Sequence, residues 1–141
     1  MTDIKSKIDR SKNMSAIRSS ETKPEVIVRK FLFANGFRYR KNDRRFPGTP
    51  DIVLPKYKTV IFVNGCFWHR HSNCRYAYIP KTNTEFWKYK FYRNVERDRV
   101  AYKKLEDNKW KVIIVWECEL KRHNQRENKL EQIKQQLLGN E

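Results

Sequence analysis

The chain has 141 residues, with 32 Lys+Arg against 16 Asp+Glu and a formal net charge of +16. That excess points to a polyanionic partner, and the 13% aromatic content supplies rings that can stack on or wedge between bases, so nucleic acid is favoured over a membrane surface. No stretch approaches the roughly 20 apolar residues of a membrane span, and three cysteines make a poor disulfide framework.

Residues 1–20 are polar and basic with isolated apolar positions, and Ser11 can cap a short helix through Ile17. They read as a basic arm, loosely ordered or laid along a nucleic acid. MTDIKSKIDR has no apolar core, so no secretory signal is expected and a cytoplasmic location follows. Residues 21–141 carry no repeat or low-complexity linker and read as one domain.

Thr22 to Gly36 predicts a helix, with Thr22 as N-cap, Pro24 and Glu25 in the first turn and Gly36 just past the end. Ile27, Val28, Phe31, Leu32 and Ala34 form its apolar face, and Glu25 borders that face, where a carboxylate favours the helix dipole. Phe37 to Arg40 is a possible strand. Pro47, Gly48 and Pro50 then break the chain before two short strands, Asp51 to Leu54 and Thr59 to Val63, joined by a turn as an antiparallel hairpin. Asp51 stands at a strand entrance beside a basic run. It is either a turn-capping residue or a carboxylate able to hold a divalent cation against a phosphate.

The stretch TVIFVNGCFWHRHSNC, Thr59 to Cys74, runs from a β-branched strand into a segment dense in ligands and rings. Cys66, His71, Cys74 and the distant Cys118 make a Cys₃His set, a common closed tetrahedral zinc arrangement with no open position for catalysis. Such a zinc would pin a loop that buries little surface. His69 and His71 are two apart and share a face in extended chain, so spacing alone does not choose the ligand. Residues 65–84 form a long loop, which is expected to be functional or pinned.

Glu85 to Asn108 is the longest helical pattern, with Trp87, Phe91, Val95, Tyr102 and Leu105 at helical spacing. Asp98 falls on that stripe and calls for a partner, an Arg, a Lys or a histidine, because an unpaired buried carboxylate is costly. Lys111 to Glu117 predicts a third core strand ending at Cys118. Glu127 to Leu138 predicts a final amphipathic helix, with His123 in the polar stretch before it. The order of elements is that of an α/β domain with a small mixed sheet.

Several blocks together carry a family resemblance: RSKNMSAI (Arg10–Ile17), PGTPDIV (Pro47–Val53), NGCFWHRHSNC, TEFW (Thr84–Trp87), NVERDR (Asn94–Arg99) and VWEC (Val115–Cys118). In this order, from about Arg10 to Leu120, they resemble the very short patch repair (Vsr) DNA mismatch endonucleases. The resemblance implies a restriction-endonuclease-like, PD-(D/E)xK-type α/β fold with a structural Zn²⁺. It implies Mg²⁺-dependent, strand-specific nicking of duplex DNA 5′ to the thymine of a T·G mismatch, the product of 5-methylcytosine deamination. A cytosine-5 DNA methyltransferase would be the functional associate, with other repair proteins downstream, and the enzyme would be a monomer working on the nucleoid.

By the same resemblance, Asp51 and the Val63 backbone carbonyl bind Mg²⁺. His69 serves as general base with Asp98 as its orienting partner, Glu25 is an acidic neighbour of the metal, and Cys66, His71, Cys74 and Cys118 hold Zn²⁺. Phe67, Trp68 and Trp87 would wedge into the duplex, Met14 would touch the opposite groove, and Asn64 would contact DNA. Two departures stand out. Asn64 replaces a histidine found in some members, and two residues separate His71 from Cys74 where one is usual. The lysine that follows the strand carboxylate in the wider PD-(D/E)xK nucleases is missing from Phe62-Val63-Asn64, a trait of the family that shifts water activation onto His69. Two alternatives stand beside this reading: a sequence-specific restriction-type endonuclease of the same chemistry, and, of a different class, a non-catalytic, zinc-pinned DNA-binding module.

Overall fold

The computed structural model describes residues 23–139. The basic arm 1–20, with Ser11 and Met14, and the expected N-cap Thr22 lie outside the described residues. Three α-helices and one four-stranded sheet make up the described fold, a mixed α/β arrangement.

The first helix, α1, spans Lys23–Ala34. Its end follows from Gly36, whose φ of +87° is open to glycine at no steric cost. The Phe37 amide donates to the Leu32 carbonyl (2.9 Å) and the Gly36 amide to that of Phe33 (3.0 Å), a Schellman closure. Phe37 is thereby turned into the core beside Leu32 instead of opening a strand. The expected strand Phe37–Arg40 is accordingly reduced to β1, Arg40–Lys41.

Next come β2, Ile52–Leu54, and β3, Thr59–Asn64, an antiparallel pair with Ile52 opposite Ile61. A 3₁₀ turn, Pro55–Tyr57, and left-handed Lys58 connect them. The long helix α2 spans Thr84–Asp107, β4 spans Lys111–Trp116, and α3 spans His123–Leu138. Strand order is β1-β2-β3-β4, and β3 and β4 run parallel. The α3 start lies four residues before the expected Glu127, because its first turn, HNQR, has no apolar residue to reveal a period. The strand β4 ends at Trp116, since Glu117–Leu120 winds into a 3₁₀ turn.

Helices cover both faces of the sheet. On one face Val28 and Leu32 of α1 and Leu130, Ile133 and Leu137 of α3 pack on Ile52, Leu54, Ile61, Ile113 and Val115. On the other, Leu105 of α2 packs on Val53, Val60 and Phe62, with Phe46, Tyr102 and Trp110 at the margin. Alternation along β3 sends Ile61 and Val63 to the first face and Val60 and Phe62 to the second. Each fully buried aliphatic side chain contributes roughly 1.5–3 kcal/mol relative to exposure.

The turn before β2 is packed against α2. Gly48 has φ +76°, and a Cβ there would lie 2.9 Å from the Ala101 Cβ and 3.1 Å from the Phe62 ring. Gly36 has a similar φ but nothing within 4 Å. Gly48→Ala is therefore expected to lose about 2–4 kcal/mol, conformation and overpacking together, and Gly36→Ala only about 1–2 kcal/mol. Denaturant midpoints of the two variants check this; equal losses would mean that the Gly48 approach is not tight.

Candidate active site

The site is built where three strand ends meet. Register places Asp51, just before β2, at the C-terminal end of antiparallel β3, and the Val63 amide donates to Asp51 Oδ2 at 2.6 Å. On the other side, parallel pairing sets Asn64 opposite Trp116. Cys66 and Cys118 thus each stand two residues beyond the last paired positions of neighbouring strands.

Around them the loop brings Cys74 and His71, and the four possible ligand atoms lie within 4.8 Å of one another. His71 Nδ1 is 3.6 Å from Cys66 Sγ and 3.4 Å from Cys118 Sγ. The His71 ring stacks on Trp116, centroids 4.3 Å apart and planes within 10°. Burial pushes the Cys66 thiol up to about 12 and raises Cys118 as well. Burial also opposes ionisation of Cys74, but hydrogen bonds from the Tyr76 and Ala77 amides and the other thiols bring it below its ordinary value. Gathered thiols of this kind ionise together only around a cation, so the four side chains could hold a metal ion.

His69 goes elsewhere. The shared face expected of His69 and His71 is broken because Arg70 is left-handed, φ +56°, so the segment is not extended. His69 Nδ1 instead meets Asp98 Oδ2 at 2.6 Å. Arg70 clamps the loop: its guanidinium donates to the carbonyls of Phe67 (3.0 Å), Tyr78 (3.0 Å) and Ala77 (2.8 Å) and lies 3.8 Å from the Phe91 ring centroid. Sequence reasoning passed over this residue.

On α2, three polar residues one turn apart grip the segment 64–69. Asn94 Nδ2 donates to the Trp68 carbonyl (3.2 Å), Asp98 holds His69, and the Tyr102 hydroxyl receives Asn64 Nδ2 (2.9 Å). The buried side of α2 runs through Phe91, Asn94, Ala101 and Leu105. This corrects the expected apolar stripe: Val95 is 40% exposed and lies at the rim of a cleft. Asn94 and Tyr102 were missed as members of the site, although their i±4 spacing from Asp98 was a visible signal. The cleft, of ≈ 430 Å³, is lined among others by Asn64, His69, His71, Asp98, Tyr102 and Trp116.

Glu25 is buried beneath this region, not at the edge of its helix face as its spacing suggested. It accepts from Arg29 Nη1 at 2.7 Å and Asn42 Nδ2 at 3.1 Å. Burial, and secondarily the Glu25 charge, push Asp51 up to about 7, although the Val63 amide, His69 and Arg29 pull the other way. A carboxylate so reluctant to ionise would gain from a cation beside it.

Next to the cleft lies a ring cluster. Phe67 is half-buried at its centre, with Trp68 at 4.9 Å, Phe91 and Tyr78 at 5.1 Å and Trp87 at 6.0 Å between centroids. Trp68 is 37% exposed, and Phe86, Tyr89 and Tyr92 of α2 are exposed as well. Among the described residues, no helix is long and apolar enough to cross a membrane.

Comparison with known proteins agrees with a nucleic-acid enzyme. A family model described as DNA mismatch endonuclease Vsr matches residues 2–75. The type II nicking enzyme V.NmeAIP of Neisseria meningitidis serogroup A is 60% identical over 121 residues, covering 86% of each chain. The DNA mismatch endonuclease Vsr of Escherichia coli K12 is 45% identical over 121 residues, 86% of this chain and 77% of that protein. The type II nicking enzyme V.XorIIP of Xanthomonas oryzae is 42% identical over 120 residues, 85% and 88% of the two chains. Such likeness makes the chain a DNA endonuclease. More narrowly, it belongs to the DNA mismatch endonuclease Vsr family.

The Asp51 environment has a measurable consequence. The folded carboxyl keeps its proton up to about pH 7, whereas an unfolded one loses it near the ordinary value of 3.8. Between these values the folded state binds more protons, so stability falls as pH rises. In buffer without added divalent cation, wild type is expected to lose about 2–4 kcal/mol from this group between pH 4 and pH 8. Asp51→Asn should flatten that decline in urea titrations at several pH values. An unchanged slope would place the Asp51 carboxyl in free contact with water.

Proposed function

We propose that the chain is a strand-specific, Mg²⁺-dependent nicking endonuclease that cuts duplex DNA 5′ to the thymine of a T·G mismatch. The observation that carries this reading is the His69–Asp98 pair at 2.6 Å, beside Asp51 and flanked directly in sequence by the Phe67–Trp68 rings. The deaminated 5-methylcytosine that creates T·G ties it functionally to a cytosine-5 methyltransferase. On this reading residues 21–141 are one endonuclease domain of the restriction-endonuclease-like class. The basic residues 1–20 would contact the DNA, with Met14 touching the opposite groove, and the enzyme would act as a cytoplasmic monomer on the nucleoid.

Both metal assignments can be tested against the donors present. Tetrahedral zinc with thiolate and imidazole ligands sets S···N separations of about 3.5 Å, and the 3.4 and 3.6 Å separations around His71 Nδ1 match that. Cys66, His71, Cys74 and Cys118 would hold Zn²⁺, a structural ion that pins the loop. Asp51 offers carboxylate oxygen, with Oδ2 oriented by the Val63 amide, and suits a hard cation. Asp51 and the Val63 carbonyl would hold Mg²⁺, which when bound neutralises charge on the phosphate undergoing attack. Glu25, fixed by Arg29 and Asn42, contributes negative charge beneath Asp51.

The protein's own groups then divide the work. Asp98 accepts a hydrogen bond from the Nδ1–H of His69, which leaves Nε2 as the basic nitrogen. Water attacks phosphorus, its proton passing to His69 Nε2, and the P–O3′ bond breaks, the 3′ oxygen leaving with the bonding pair and taking a proton from solvent. Asp98 stabilises the imidazolium. The products are a 3′-hydroxyl and a 5′-phosphate. Phe67, Trp68 and Trp87 enter the base stack, where unstacking costs a few kcal/mol and is offset in part by the rings. A T·G wobble opens more cheaply than a matched pair, which links the wedge to selectivity. Asn64 and the net charge of +16 favour the phosphate backbone.

The direct test is Mg²⁺-dependent cleavage of strand-labelled T·G duplexes with varied flanks. One nick on the thymine strand is expected; cleavage of both strands of paired DNA would point to a restriction-type enzyme. No activity anywhere, unaltered by Asp51→Ala, would leave a binding module. His69→Ala should lower nicking by about 10²- to 10⁴-fold with bound zinc unchanged, whereas Cys118→Ala should lose zinc and folding stability together. Zinc loss in the His69 variant would reverse the division between the histidines. Trp68→Ala should weaken discrimination of T·G from T·A more than it weakens non-specific binding, since phosphate contacts supply the latter. Equal weakening of both would count against the wedge.

A further inference from the structure

Tyr102 has no role in the scheme above, yet its hydroxyl is placed as carefully as His69. Its ring packs edge-on against Phe62, centroids 4.9 Å apart, so the phenol cannot swing freely. Asn64 Nδ2 donates to the hydroxyl oxygen at 2.9 Å, and Asn64 is itself buried at the end of β3. With that bond accepted, the phenol still has its own proton to give, and among the described residues it meets no acceptor. Asn64 and Tyr102 line the same cleft as His69 and Asp98. Burial, with the charges of Asp98 and Asp51, pushes the phenol up to about 12. It therefore stays neutral in the working range, a donor and not a base.

A fixed, neutral donor with an unused proton, set in the cleft with the His69–Asp98 pair and within electrostatic reach of Asp51, suits an anionic oxygen. We infer that the Tyr102 hydroxyl, held by Asn64, donates a hydrogen bond to a non-bridging oxygen of the scissile phosphate. The inference rests on the nicking reaction proposed above. It makes Tyr102 a substrate-contacting donor and Asn64 its positioning residue. The bond strengthens as charge builds on that oxygen, so its effect falls on turnover more than on DNA affinity.

Tyr102→Phe keeps the ring and its contact with Phe62 and removes only the oxygen. The expected result is a kcat for nicking T·G duplex lowered about 10- to 100-fold, with the unfolding midpoint retained. KM, and duplex Kd measured without Mg²⁺, should stay within about twofold of wild type. Asn64→Ala should lose a similar factor, and the double variant no more than the worse single one, because the two groups act as a unit. Sulfur in place of each non-bridging oxygen gives a readout that a packing role would not move. For one diastereomer, the slowing by sulfur should shrink in Tyr102→Phe. The inference is overturned if the variant nicks like wild type, if only KM changes, or if sulfur slows both proteins equally at both oxygens. Multiplying losses in the double variant would break the link to Asn64. A wild type that nicks no duplex overturns the underlying reading instead, and this inference with it.

Discussion

Parallel pairing of β3 with β4 is the constraint on which the rest of the site depends. Asn64 faces Trp116 at the end of that ladder, and everything with chemistry on it leaves from those two ends or lies opposite them. Cys66 and Cys118 come together because they are equally far past the paired positions. His71 stacks on Trp116, the last residue of β4, and the Val63 amide holds Asp51. A slip of one residue would exchange the faces of β3. Ile61 and Val63 would then leave the core under α1 and α3, and the two cysteines would lose their common level. The hydrophobic alternation that fixes the register therefore also fixes the ligand geometry.

The second support is α2, which does two things with one helix. Leu105 and Ala101 bury apolar surface against the sheet, while Asn94, Asp98 and Tyr102 spend polar groups on the segment 64–69. Polar side chains at such half-buried positions are tolerable only when partnered. Each of these has a partner in the segment it positions. The loop 65–83 has no regular secondary structure, and its order comes from Arg70, this polar row, the rings around Phe67 and the Cys/His cluster.

Helices and strands were legible in the sequence because periodicity and β-branching report burial directly. The cluster of Cys66, His71, Cys74 and Cys118 was legible as a set because few other residues of those types exist in the chain. What was hidden depended on single dihedrals and on partners distant in sequence. The directions of His69 and His71 turn on the left-handed Arg70, which no pattern announces. Phe37 reads as a strand residue until Gly36 turns it into the core. Asn64 and Tyr102 are 38 residues apart and meet only through the packing of α2 on β3. The polar first turn of α3 carries no hydrophobic period at all. The family resemblance reached further than the residue patterns, because it named Asp98 as the partner of His69 where the stripe alone left Arg, Lys or His open.

Charge gives the site its remaining logic. On a chain of net charge +16, Glu25, Asp51 and Asp98 converge near one cleft, and Asp51 resists ionisation there. Such a concentration of carboxylates would repel a phosphate unless a cation stood between them, so on the proposed reading basic surface and acidic site serve different stages: the first would attract the duplex, the second would call for the metal. On the proposed reading, the wedge and the base share the consecutive residues Phe67, Trp68 and His69. Covalent continuity keeps the rings that would enter a base step and the imidazole that would face a phosphate on one short segment. Because the loop carrying both is clamped by Arg70 and the cluster, the enzyme need not measure the distance from mismatch to cut; covalent continuity sets it.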